Sequence, residues 1–104
     1  MTPEEIAFRL LKLDAEIMEE LRAMIISEDD KERIKFAAND AFFLALDVLG
    51  FPADTYGSFG EDFKTSDFNR DPITQKWDKF RGKKATDERI RAYIQYVKNE
   101  MNRM

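Results

Sequence analysis

The chain has 104 residues, a net charge of −4, 43% hydrophobic and 12% aromatic residues, enough to bury one core and too apolar for a disordered polymer. It holds no cysteine and no histidine. Disulfides, thiolate metal sites, cysteine nucleophiles and the serine–histidine triad are therefore excluded, along with the commonest general acid–base at neutral pH.

The first predicted helix spans about residues 3–26. Thr2 is its N-cap, Pro3 its first residue, and Glu5 completes the capping-box spacing. Ile6, Leu10, Leu13, Ile17, Leu21 and Met24 recur at steps of three and four and are expected to face the core. Glu16, Glu19, Glu20 and Arg22 fall largely on the other side. The second helix, at about 28–49, opens with Ser27 as cap and three acids that suit the positive end of the helix dipole. Ile34, Ala38, Ala41, Ala45 and Val48 form one stripe, widened by Phe42, Leu46 and Leu49. A helix this apolar around its circumference sits at the centre of a domain or in an oligomer. Gly50 and Pro52 end it. The short link between the two long helices predicts a helical hairpin.

Residues 51–71 read as a long loop with aromatics at Phe51, Tyr56, Phe59, Phe63 and Phe68. Loops of this length inside compact domains are uncommon and often functional. These aromatics either pin the loop over the helices or enter a partner's pocket, as aromatics do at interface centres. Tyr56, Phe59, Phe63 and Phe68 are the candidate partner-binding residues. Asp71 and Pro72 start a third helix, at about 72–81, whose apolar stripe is Ile73, Trp77 and Phe80 and whose stop is Gly82. Thr86 caps a fourth, at about 87–102, lined by Ile90, Ile94, Val97 and Met101 with Tyr93 beside them. No strand-like alternation persists. The expected architecture is all-α: one domain over 1–104, with two long helices, an aromatic loop and two shorter helices.

The charge is polarised. Residues 1–62 carry 15 acids and 6 bases, whereas residues 63–104 carry 6 acids and 11 bases. The halves either neutralise each other on folding or face two different partners. The basic run KWDKFRGKK, with Arg89 and Arg91 beyond it, is the candidate nucleic-acid surface: Lys76, Lys79, Arg81, Lys83, Lys84, Arg89 and Arg91. Cations of this kind bind phosphates in a salt-dependent manner. Trp77 and Phe80 fall on the core face, which leaves the cations for solvent.

Two metal patterns fail on their own spacing. Asp67, Asn69, Asp71 and Asp78 echo a calcium loop, but Pro72 stands where that loop needs glycine and Asp78 where it needs glutamate. Glu16, Glu19 and Asp40 echo the carboxylate pairs of all-α nucleotide pyrophosphohydrolases, but Ala37 breaks the second pair. The four glycines lie at 50, 57, 60 and 82, in no phosphate-binding context. The reading is non-enzymatic, with no metal and no cofactor. The N-terminal segment has acids where a secretory signal carries bases, and no apolar run approaches the roughly 18 residues of a membrane span. A cytoplasmic location without membrane contact is expected.

One stretch, AEIMEELRAMIISEDDKERIKFAANDAFFLALDVLGFP at residues 15–52, resembles a helical hairpin of bacteriophage terminase small subunits and related phage proteins. Leu21, Met24 and Ile25 match the end of its first helix, and Asp29 and Asp30 match its acidic link. Arg33, Ala37, Ala38, Leu46, Leu49 and Gly50 match its second helix. The resemblance covers about a third of the chain. An N-terminal helix-turn-helix, common in that family, has no counterpart here, and Phe42 and Phe43 depart from the pattern. The resemblance implies helical self-association and a phage setting, hence host cytoplasm. The expected function is an oligomerising adaptor that contacts DNA or a packaging-motor protein. The alternative is a small binding or inhibitory module that docks on a host or viral enzyme through its aromatic loop and the acidic face of the first helix.

Overall fold

The computed structural model describes residues 1–51, 72–81 and 85–103. Within them lie four helices: α1 (Pro3–Leu21), α2 (Glu28–Leu49), α3 (Pro72–Arg81) and α4 (Asp87–Asn102). No strand occurs among the described residues, so the chain is all-α. The loop expected at 51–71 lies outside the described residues apart from Phe51, as do Asp71, Gly82 and the side chain of Phe80.

Local chemistry fixes the helix ends. The Thr2 hydroxyl accepts the Glu5 N–H at 3.2 Å, Ser27 accepts that of Asp30 at 3.1 Å, and Thr86 accepts that of Arg89 at 3.3 Å. Each satisfies an amide that the first helical turn would otherwise leave unpaired. At the end of α2, Gly50 turns left-handed at φ +90°. Its N–H reaches the Asp47 carbonyl and the Phe51 N–H reaches that of Leu46, both at 2.9 Å. This double closure lets buried Phe51 fold back beside buried Leu46 in the core cluster.

α2, α3 and α4 occupy their expected spans, but α1 stops at Leu21 rather than near residue 26. The reason is the short distance to the next helix. Ser27 must be extended, at ψ 156°, to cap α2. Residues 22–26 are therefore spent crossing from one helix to the next, and the β-branched pair Ile25–Ile26 opposes helix on its own account. Ile25 ends fully exposed.

The buried face of α1 is only partly the expected one: Leu21 is buried and Leu10 packs against the core, but the centre of the face is turned. Ala7, Phe8, Leu11, Asp14 and Ala15 point inward, while Ile6 and Leu13 are exposed at 38% and 48%. The wheel is turned because Asp14 belongs to the core. Its carboxyl oxygen accepts the indole N–H of Trp77 on α3, and both side chains are fully buried. That bond satisfies two polar groups which burial would otherwise penalise.

Trp77 ties the four helices together. It stacks on Phe42 of α2 at 5.8 Å between centroids and 8° between planes, and it tilts against Tyr93 of α4 at 5.1 Å. The Tyr93 hydroxyl donates to the Ile73 carbonyl of α3 at 2.8 Å. α1 and α2 share the largest interface, lined with Ala15, Ala38, Ala41 and Ala45, whose small side chains permit close approach. α3 and α4 close the core around Phe42, Trp77 and Tyr93.

Asp14→Ala leaves the indole N–H buried without an acceptor and should cost about 1–3 kcal/mol. At roughly 4–8 °C per kcal/mol for a domain of this size, thermal melting reads the loss directly. Trp77→Phe removes the indole donor to Asp14. Pairing it with Asp14→Leu should recover part of the combined loss in a double-mutant cycle. Additive losses would show that the bond contributes nothing of its own.

Candidate functional site

α4 runs antiparallel across α1, and three ion pairs mark the crossing. Lys98 meets Glu4 at 3.1 Å, Arg91 meets Glu5 at 3.1 Å, and Asp87 meets Lys12 at 3.2 Å. As numbers rise along α1 they fall along α4. Two of the pairs join acids of the N-terminal half to bases of the C-terminal half, so the polarised charge is partly neutralised within the fold. A shallow cleft lined by Glu4, Arg91, Ile94, Gln95 and Lys98 lies along this seam. The pairs are exposed, and each contributes little to stability.

The Glu4 carboxyl is held below its ordinary value. The largest cause is the hydrogen bond from its own backbone N–H at the start of α1, followed by the hydrogen bond and charge of Lys98. A lowered carboxyl stabilises the fold above its ordinary value and loses that contribution as pH falls through the lowered one.

The candidate nucleic-acid residues meet different surroundings. Lys76 places its ammonium 3.9 Å from the centre of the Tyr96 ring, a cation–π contact that ties it to α4. Arg91 is committed to α1, with its guanidinium against Glu5 and 4.2 Å from the Phe8 ring centre. Lys79 on α3 and Arg89 in the first turn of α4 are exposed. Arg81 closes α3, and its side chain lies outside the described residues together with Lys83 and Lys84. The candidate partner-binding residues Tyr56, Phe59, Phe63 and Phe68 lie outside them as well. Among the described residues, no three carboxylates converge on a position that could hold a metal ion. No described helix is long and apolar enough to cross a membrane.

Sequence reasoning missed the apolar side chains left outside. Ile6 and Leu13 of α1 and Leu44 of α2, at 53%, are exposed. Leu10, Ile17 and Val48 beside them are half-buried. Their regular spacing had assigned the α1 residues to the core. The presence of Asp14 on the neighbouring face was the available signal that it was a second surface.

Thermal melts should separate Glu4→Gln from the parent near neutral pH and bring the two together in acid, as pH falls from the ordinary carboxyl value of 4.5 through the lowered one. A gap that persists in acid would assign the effect to packing rather than charge. The chain matches no protein family, no curated protein and no solved structure.

Proposed function

We propose that the chain is a non-enzymatic adaptor of the phage type, in which α1 and α2 form a helical hairpin that assembles and the basic C-terminal half contacts DNA or a packaging-motor protein. The observation that carries this reading is the exposure of Ile6, Leu13 and Leu44 on the two longest helices. Those helices already bury a full set of side chains between them, so the outer residues are surplus to the core. A contiguous apolar patch left outside in this way is the kind of surface that serves association. The resemblance of residues 15–52 to the phage hairpin points in the same direction. Exposed Lys79 and Arg89, with the basic run that continues past Arg81, supply the phosphate contacts. The rival surface is acidic: Glu16, Glu19 and Glu20 are exposed on α1. It favours the alternative in which the module docks on a basic protein partner, with Tyr56, Phe59 and Phe63 of the aromatic segment completing the contact.

Replacing Lys79, Arg81, Lys83 and Lys84 together with Ala should abolish binding to a fluorescent DNA duplex at low salt. Partial variants should lower the slope of log affinity against log salt by about 0.9 for each phosphate contact removed. Tyr56, Phe59 and Phe63 changed to Ala should leave that binding intact. A parent protein that binds no duplex at low salt refutes the DNA arm, and the aromatic variant then becomes the test of protein capture.

A further inference from the structure

Exposed Ile6, Leu13 and Leu44, with half-buried Leu10, Ile17 and Val48, form one surface, whereas exposed Ile25, Ile26 and Phe36 lie apart from it. On α1, Ile6, Leu10, Leu13 and Ile17 follow at steps of four, three and four. At 100° per residue they centre roughly 150° around the helix from Glu4, Glu5, Phe8 and Lys12, the residues that meet α4. On α2, Ala37, Leu44 and Val48 follow the same steps, with buried Ala41 at the base of the stripe. They centre roughly 130° from Phe42, which meets α3 and α4. Both stripes therefore lie on the side of the α1–α2 pair that α3 and α4 leave uncovered. Steps of four and three are the signature of a seam that receives another helix pair.

The charges at the rim say which pair. Beyond the α1 stripe stand Arg9 and Glu16, and beyond the α2 stripe stand Arg33 and Asp47; all four are exposed and, among the described residues, make no ion pair. Each helix thus carries a base early and an acid late. A helix of that pattern complements its own copy when the two run antiparallel. About an axis near Leu13, Arg9 faces Glu16 of the second copy, Leu10 faces Ile17, and Leu13 meets itself. About an axis near Ala41, Arg33 faces Asp47, Ile34 faces Val48, and small Ala37 receives Leu44. The two axes lie near each other. Asp14 and Phe42 both touch Trp77, which sets Leu13 and Ala41 within about one helical turn of each other along the pair.

We infer that this face binds a second copy of the chain. Two α1–α2 pairs stack face to face about one two-fold axis near Leu13 and Ala41, forming an antiparallel four-helix layer with α3 and α4 on the outside. The inference rests on the assembly half of the adaptor reading and gives it a geometry. The arrangement is isologous, so every contact occurs twice. Asp40, exposed on the α2 rim, is its one unfavourable element, because beside the axis it meets its own copy. The footprint is about 20 Å by 20 Å from helix spacing and rise, about 800 Å² over both copies and below the roughly 1,200 Å² of stable interfaces, so the dimer is weak and forms only at high concentration.

The absence of cysteine from the chain makes the test direct. Leu13→Cys should give a cross-linked dimer in near-complete yield with a short bis-maleimide. Glu19→Cys should give almost none, because its two copies are offset by about 18 Å along the helices alone. Sedimentation of the parent across concentration should show a monomer–dimer equilibrium. Arg9→Glu should weaken it by about tenfold, Arg9→Glu with Glu16→Arg should restore it, and Asp40→Asn should tighten it. Leu13 is half-exposed, so its replacement leaves the monomer core intact. A parent that self-associates while Leu13→Cys fails to cross-link and the charge exchange has no effect overturns this geometry and leaves the adaptor reading standing. A parent that is monomeric at every concentration overturns both.

Discussion

The bond between Asp14 and Trp77 decides which way α1 faces. A carboxyl group in a helical core is costly unless something donates to it, and an indole N–H is equally costly unless something accepts. Joining them removes both costs at one point, where α1, α2, α3 and α4 all converge. Once Asp14 points inward, Ala7, Phe8, Leu11 and Ala15 follow it by helical geometry. Ile6 and Leu13 are turned outward by the same geometry. A single polar contact in the core thereby creates the apolar surface on the outside.

The two kinds of charge contact serve different ends. Between α1 and α4, ion pairs align one helix against the other without adding much stability, since each remains open to solvent. They also draw Arg91 away from the basic surface and lower the net polarity of the fold. On the outer face of α1 and α2, the charges have no partner within the described chain and flank apolar residues. A charge beside an exposed apolar seam gives orientation to association more than affinity.

Local features were legible in the sequence and long-range ones were not. Thr2, Ser27, Thr86 and Gly50 were readable because a cap involves residues only three or four apart, and chain chemistry alone decides them. The inward face of α1 was not readable. Ile6, Leu10, Leu13 and Ile17 have stronger periodicity than the mixed set that includes Asp14, and the donor that admits Asp14 lies 63 residues away. The basic residues are plain in the sequence, but the commitment of Arg91 to Glu5 spans 86 residues and no local pattern carries it. The end of α1 escaped for a related reason: the apolar pattern continues through Met24, while the crossing to α2 requires those residues to leave the helix.

Trp77 is the chain's one tryptophan, and it sits fully enclosed at the junction of all four helices. α3 is only 10 residues long, too short to hold its helix in water without that anchorage. The indole therefore acts as an optical gauge built into the protein. Its emission reports whether α3 is seated, while far-ultraviolet ellipticity is dominated by the longer α1 and α2. If the two signals part company on heating, α3 is a separately opening unit, and the junction that sets the outer surface loosens before the long helices melt.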